Sequence, residues 1–248
     1  MMMKGLLKLS WIETKVFLRE PLGVIGSLGM PVLVFILFGR VATSGPRAAS
    51  SLDAVPFNIT IFAALLIAIG AVQSLIAIVA IYREGGILKR LRATPLSPVT
   101  ILGSHVLVKL AFTAASLGLL VLVGRSILPG ALPPHTGSFV VAVLLSTLFI
   151  LSLGFVLASI VPTARFAQPL GALVLYPMVA LSGLFFPLEV LPRTLRVLAY
   201  ALPTTHAVSL MQGVWDGAGW VSQWRSLGAL ALTFALFIAL STRWFRWE

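Results

Sequence analysis

Six long runs of apolar residues alternate with short polar segments along this chain. Each meets the ~17–20 residues that an α-helix needs to cross a hydrocarbon layer about 30 Å thick. They fall at 22–38, 57–81, 99–124, 139–160, 166–185 and 226–242. The expected fold is therefore all-α and polytopic, a single transmembrane domain over 1–248 with six spans. Ahead of the first run, Lys4, Lys8, Lys15 and Arg19 are interleaved with Leu6, Leu7, Leu9, Ile12, Val16 and Phe17 at roughly helical spacing, which predicts an interfacial helix over 1–20. Charge extends along its whole length and no small-x-small site follows at once, so it is expected to stay in the mature protein. Between the fifth and sixth runs lies an outer segment, 188–220. Leu191, Leu195, Leu198 and Leu202 share one helical face there and predict a short outer helix, and Gly213, Gly217 and Gly219 beside Trp215 and Trp220 predict a turn at the interface.

The substantial polar island between two runs is 82–98, YREGGILKRLRATPLSP. Gly85 and Gly86 supply the backbone freedom for a sharp change of direction. A short amphipathic helix is expected next, within 83–94: Ile87, Leu88 and Leu91 share one face, Lys89, Arg90 and Arg92 decorate the others, and Pro95 ends it. Such a helix lies at a membrane surface, either resting on anionic headgroups or docking a protein.

This segment, with Arg83, Glu84, Gly85, Gly86, Leu88, Lys89, Arg90, Leu91, Arg92 and Pro95, resembles the coupling-helix segment of type-2 ATP-binding-cassette exporter permeases, in the branch that exports drugs and antibiotics. A second stretch is similar to that family's fifth helix and outer loop: Tyr176-Pro177-Met178, the run from Leu181 through Phe186 to Pro187, Leu191-Pro192, and the run from Leu202 to Ala207. Gly85-Gly86 stands where many relatives carry Gly-Thr or Gly-Ser. The resemblance covers nearly the whole chain. It implies a coupling helix between the second and third spans that sits in a cleft of a separate ATPase, present in two copies, and a dimer with a second copy of this chain or a homologous permease. It also implies an outer hydrophobic gate at Ser182, Phe185, Phe186 and Pro187; the alternative for these residues is a packed aromatic cluster at a helix end. Leu88 and Leu91 would be docking anchors, Arg83, Lys89, Arg90 and Arg92 would meet acidic residues, and Glu84 would pair with a basic one or bond locally to Arg83 or Lys89.

Composition agrees with a membrane location: 59% of the 248 residues are hydrophobic and 10% charged, against about 25% charged in soluble domains. The net charge of +11 comes from short basic clusters between apolar runs, so it marks topology and not nucleic-acid binding. On alternate sides of six spans the basic residues divide 11 to 6, the larger group including both termini and the 83–92 cluster. Both termini are therefore expected in the cytoplasm of a prokaryotic cell whose inner (plasma) membrane holds the chain. No cysteine is present, which excludes disulfides and thiol chemistry, and His105, His135 and His206 lack ligand spacing, so no metal site is expected.

An energy source is missing from the chain itself. There is no Gly-Lys dipeptide and hence no phosphate-binding loop, so ATP and Mg²⁺ would belong to the partner ATPase, with no cofactor here and no enzyme activity of this chain's own. All seven acids lie outside the spans or at their ends, which counts against ion-coupled secondary transport. Lys109 is the one formal charge inside a run, about 16 Å past Pro98 along a helix. It either snorkels to the cytoplasmic interface or lines a vestibule that meets substrate headgroups. Gln73, Ser74, Ser116, Ser146, Thr147 and Ser152 either bond between helices or touch substrate. Spans with so little polar lining suit an apolar or amphipathic cargo, a drug, antibiotic or lipid; export of a lipid-linked polysaccharide, a non-transporting membrane anchor that recruits a soluble partner, and an ion-driven transporter are the alternatives.

Overall fold

In the computed structural model the described residues are 2–19, 21–44, 58–87, 90, 98–127, 135–161 and 163–244, and among them regular structure is helical throughout. The helices are α1 (Met2–Leu18), α2 (Pro21–Val24), α3 (Met30–Ser44), α4 (Ile59–Glu84), α5 (Pro98–Ile127), α6 (Thr136–Ile160), α7 (Ala164–Ala180), α8 (Arg193–Ala201), α9 (Pro203–Trp215), α10 (Gly219–Ser222) and α11 (Trp224–Trp244). A π-helical turn, Ile25–Gly29, joins α2 to α3, and a 3₁₀ turn, Leu188–Val190, precedes α8.

Among the described residues four helices are long and apolar enough to cross a membrane: α4, α5, α6 and α11. The two other expected spans take a different form. At 22–38 the helix is interrupted by the π-turn, and its apolar stretch is the shorter Ile25–Phe38. α7 has 17 residues with Pro169 and Pro177 inside it and stops at Ala180, so the expected end at Phe185 is five residues too far. The apolar run does continue to Phe186. Gly183, however, adopts φ +84°, and the chain leaves the helix in a turn and bend that Pro187 follows.

α4 and α6 form the centre of the bundle. Of the α6 apolar window 67% is buried, against 17% for α11, which packs on its outer side. Small residues make the central crossing close: Ala63, Ala64 and Ala68 of α4 are fully buried, and a Cβ on Gly154 of α6 would come within 3.1 Å of Val72 and Leu75. α7 crosses the other side of α4 at Gly171, where a Cβ would collide with the Gln73 amide. α1 leans along α5, with Leu6 near Gly103 and the Phe17 ring 4.3 Å from that of Phe112, so it runs obliquely into the bundle. Its opposite face leaves Leu7 and Trp11 about 60% exposed, a surface suited to lipid.

In the segment 188–220 helix runs over α8 and α9; of the four leucines expected on one helical face, Leu195 and Leu198 lie in α8, whereas Leu191 and Leu202 flank it, and the glycine turn is narrower than expected. Gly217 and Gly219, at φ +74° and +76°, make the turn, whereas Gly213 lies inside α9. Thr204 fastens α9 to α7: its hydroxyl donates to the Met178 carbonyl, one of the orphan acceptors at the end of α7, at 2.9 Å.

Candidate functional site

Two polar regions stand out, one at the end of α4 and one among the helices near Lys109. Gly85 and Gly86 turn the chain after α4, and Gly86 takes φ +66°, a conformation open to glycine and strained for a residue with a Cβ. Helix restarts at Ile87, and the Arg90 N–H donates to the Gly86 carbonyl at 3.2 Å. Leu88, Lys89, Leu91, Arg92 and Pro95 lie outside the described residues.

Arg83 and Glu84 both reach the loop between α6 and α7. The Arg83 guanidinium donates to the Val161 carbonyl at 2.9 Å, and the Glu84 carboxylate accepts from the Ala164 N–H, also at 2.9 Å. Val161 is the residue that closes α6 and Ala164 opens α7, whose N-cap Thr163 makes no side-chain cap bond. The acidic side chain thus does the capping from 80 residues away and places a negative charge at a helix N-terminus, while the arginine takes a carbonyl at a helix C-terminus, each the favoured polarity. One two-residue clamp joins the last turn of α4 to the loop between α6 and α7.

Lys109 is 7% exposed. Its ammonium donates to the Ser74 hydroxyl of α4 at 2.5 Å and lies 4.9 Å from the centre of the Phe17 ring, a cation–π distance. It is held between α1, α4 and α5. Lys109, Ser74 and Phe17 line a cavity of about 330 Å³ together with Gln73, Ser27 and Gln168. The Gln73 Oε1 atom, buried there, has no hydrogen-bond partner among the described residues. The π-turn contributes too, since its Ser27 carbonyl accepts from Ser116 of α5 at 3.3 Å. Of the other polar residues in the spans, Thr147 and Ser152 bond to carbonyls of their own helix, and the Ser146 hydroxyl is buried without a partner among the described residues.

A second layer lies beside Lys109 and was not predicted from the sequence. Glu13 of α1, buried, accepts from the Tyr82 hydroxyl at 2.8 Å, and its other oxygen is 3.7 Å from His105 Nδ1. The Tyr82 and His105 rings meet edge to face at 5.4 Å. The available signal was the position of Glu13 on the Leu9–Glu13–Phe17 face of α1, the side that turns inward. Burial pushes the Glu13 carboxyl above its ordinary value; the Tyr82 hydrogen bond and the Lys109 charge partly oppose that shift. A raised carboxyl favours the folded state below the ordinary value near 4.5 and loses that contribution as pH rises through the raised value. Glu13→Gln, which keeps an acceptor for Tyr82, is therefore expected to raise the melting temperature at pH 7–8, with the difference closing as pH falls toward 4.5. Thermal unfolding in lipid nanodiscs across that range checks it.

At the far end of the bundle from Gly86, Ser182 is buried and donates to the Val179 carbonyl at 2.6 Å. Phe185 is half-buried with its ring edge-on to Phe62 at 5.7 Å, Phe186 is 63% exposed, and Pro187 precedes the 3₁₀ turn. The two phenylalanines thus occupy different environments, one packed on α4 and one facing outward. The structure does not bring these residues together with Lys109, which lies among the α1, α4 and α5 side chains.

Apolar membrane-length helices around a buried lysine, with a glycine turn clamped to the next loop at one end, define an integral membrane protein. The chain belongs to the ABC-2 type transporter family, whose profile matches residues 5–215. Inner membrane transport permease YhhJ of Escherichia coli strain K12 is 29% identical over 169 residues, 66% of this chain and 44% of that protein. Nodulation protein J of Rhizobium leguminosarum biovar trifolii is 31% identical over 91 residues, 37% of this chain and 35% of that protein. The match thus spans less than half the length of either relative.

Proposed function

We propose that this chain is the membrane-spanning subunit of an ATP-driven exporter of the prokaryotic inner membrane. It works as a dimer with two copies of a separate ATPase and moves an apolar or amphipathic compound outward. In this reading 22–38 and 166–185 complete six spans, both termini are cytoplasmic, and the segment around Leu88 and Leu91 is the helix that docks the ATPase. The observation that carries the proposal is the Arg83–Glu84 clamp. A push on the turn at Gly86 reaches α4 through the chain, and α6 and α7 through two charge-assisted hydrogen bonds, so three helices move with one handle.

The Lys109 cavity supports the amphipathic cargo. Its apolar wall suits an acyl or aromatic body, and the ammonium beside Gln73 and Ser74 suits a polar or acidic headgroup. An intramembrane cation is expensive to bury, which favours a functional role for it over a purely structural one.

The test is flux of an amphipathic dye into inside-out membrane vesicles that contain the chain and its ATPase. Accumulation that needs ATP, stops with vanadate and survives an ionophore supports the exporter. Flux that collapses with the ionophore and ignores ATP would assign the chain to ion-driven transport, and no flux at all to the anchoring role.

A further inference from the structure

α1 and the turn that closes it carry their basic side chains on the outside and their acid on the inside. Lys8, Lys15 and Arg19 are exposed and make no ion pair among the described residues, whereas Glu13, the one acid of α1, is buried toward the bundle. We propose that the basic stripe binds anionic phospholipid of the surrounding membrane, and that the bound lipid holds Phe17 in place over Lys109. The proposal needs only the membrane location of the chain and goes beyond the exporter reading.

At about 3.6 residues per turn, Lys8, Lys15 and Arg19 fall within about 40° of one another around the helix. The Arg19 N–H donates to the Lys15 carbonyl at 3.2 Å, which carries that register past the end of α1. Leu7, Trp11 and Leu18 flank the stripe on one side and Ile12 and Val16 on the other, all of them exposed. A protein contact has the opposite order, with charges depleted from its centre and gathered at its rim. A headgroup layer suits the order observed: lysine stems and flanking apolar chains lie against acyl chains while the ammoniums reach phosphates. Trp11 adds the aromatic anchor of such a layer, and Lys15 Nζ lies 5.1 Å from its ring centre. Without an acid on the stripe, a lipid of net negative charge gains more there than a zwitterionic one. Leu6 beside Gly103, and Glu13 on Tyr82, place α1 at the end of the bundle where Gly86 turns the chain.

The opposite face of the same helix reaches the Lys109 cavity. Phe17 lines that cavity, with its ring 4.3 Å from Phe112 and 4.9 Å from the Lys109 ammonium, and the Glu13–Tyr82 bond ties α1 to α4. One short helix therefore meets lipid on one side and forms a cavity wall on the other. Lipid that binds α1 best in the position where Phe17 is seated must, by linkage, favour the seated ring.

The experiment places the full chain in bilayers of phosphatidylcholine and phosphatidylglycerol and compares, by electron paramagnetic resonance, how much of each spin-labelled lipid the protein immobilises. The wild type is expected to prefer phosphatidylglycerol. Lys8→Gln/Lys15→Gln is expected to lower that preference at least about fivefold, the worth of about one lysine at a charged surface, and Lys8→Arg/Lys15→Arg to retain it. Equal melting temperatures of the two double variants in phosphatidylcholine alone show that the loss is not misfolding. A fluorine label on the Phe17 ring reads the inner face: its NMR signal is expected to converge on one narrow line as phosphatidylglycerol replaces phosphatidylcholine, and to stay unchanged in the neutral double variant. Equal immobilisation of both lipids by the wild type, a preference that survives in the neutral variant or is lost in the charge-conserving one, or a Phe17 signal indifferent to phosphatidylglycerol would each overturn the proposal. A neutral variant that keeps its lipid preference and loses a co-purifying protein would assign the stripe to that protein instead. Because neither readout uses ATP or a partner, their failure is separate from failure of the exporter reading in the vesicle test.

Discussion

Glu84→Ala is expected to cut ATP-driven transport at least about tenfold while the partner ATPase continues to hydrolyse ATP, and Arg83→Ala is expected to do the same. Each side chain supplies one of the two bonds that tie the end of α4 to the Val161–Ala164 loop. A charge-assisted hydrogen bond is worth about 1.5–3 kcal/mol where it is shielded, as the part-buried Arg83 bond is, and less for the exposed Glu84 bond, and a factor of ten needs about 1.4 kcal/mol, so the effect of Arg83→Ala should be at least as large as that of Glu84→Ala. The cost to folding is smaller in proportion, since loss of a helix cap is about 0.5–2 kcal/mol and the six apolar runs still hold the bundle. The two residues act on one loop, so the Arg83→Ala/Glu84→Ala double variant should be barely worse than either single one. Parallel measurement of dye flux and phosphate release checks this. If flux and hydrolysis fall together, the residues only shape the docking surface, and if flux persists in both variants the clamp is not the path of force.

The second large effect is expected at Lys109. Methionine there keeps a flexible chain over the Phe17 ring and removes the charge. Transport should fall at least about tenfold if the ammonium meets the cargo's polar end. Stability should move the other way, because an intramembrane cation costs about 2.5–3.5 kcal/mol on insertion scales and its replacement by an apolar group is often stabilising. Glu13 feels the Lys109 charge, so the clean comparison is Glu13→Gln/Lys109→Met against Glu13→Gln. Its melting temperature is expected to rise by about 2–4 °C, the scale of 1 kcal/mol for a chain of this size. A double variant that transports normally would make Lys109 a structural residue fastened to Ser74.

What the sequence revealed and what it hid follow the range of the interaction concerned. Spans are written locally, as length of apolar run, and the run at 57–81 corresponds to α4, that at 99–124 to α5 and that at 139–160 to α6. The turn at Gly85-Gly86 is local as well, and Gly86 does take the left-handed conformation that its identity suggested. The end of α7 misled because hydrophobicity persists through Leu184, Phe185 and Phe186 while the backbone has already left the helix. Side-chain partners were the least legible. Glu84 reads as a partner for Lys89 or for an ATPase residue when only neighbours are visible, and nothing in the sequence pairs it with the N–H of Ala164. In the same way the sequence leaves Lys109 either snorkelling or lining a vestibule and does not show that α4 and α1 bring Ser74 and Phe17 to it, and Glu13 reads as one more charge on a surface helix until its face of α1 is seen to turn inward.

The central claim is that the segment after Gly86 docks an ATPase, and gentle purification of the tagged chain from its native membrane, beside a Leu88→Asp/Leu91→Asp variant, tests it most directly. An ATPase that accompanies the wild-type chain and is absent from the variant, with both chains equally folded by thermal melting, is the expected result. An ATPase retained equally by both, or absent from the wild type under conditions that keep the chain dimeric, would contradict the account.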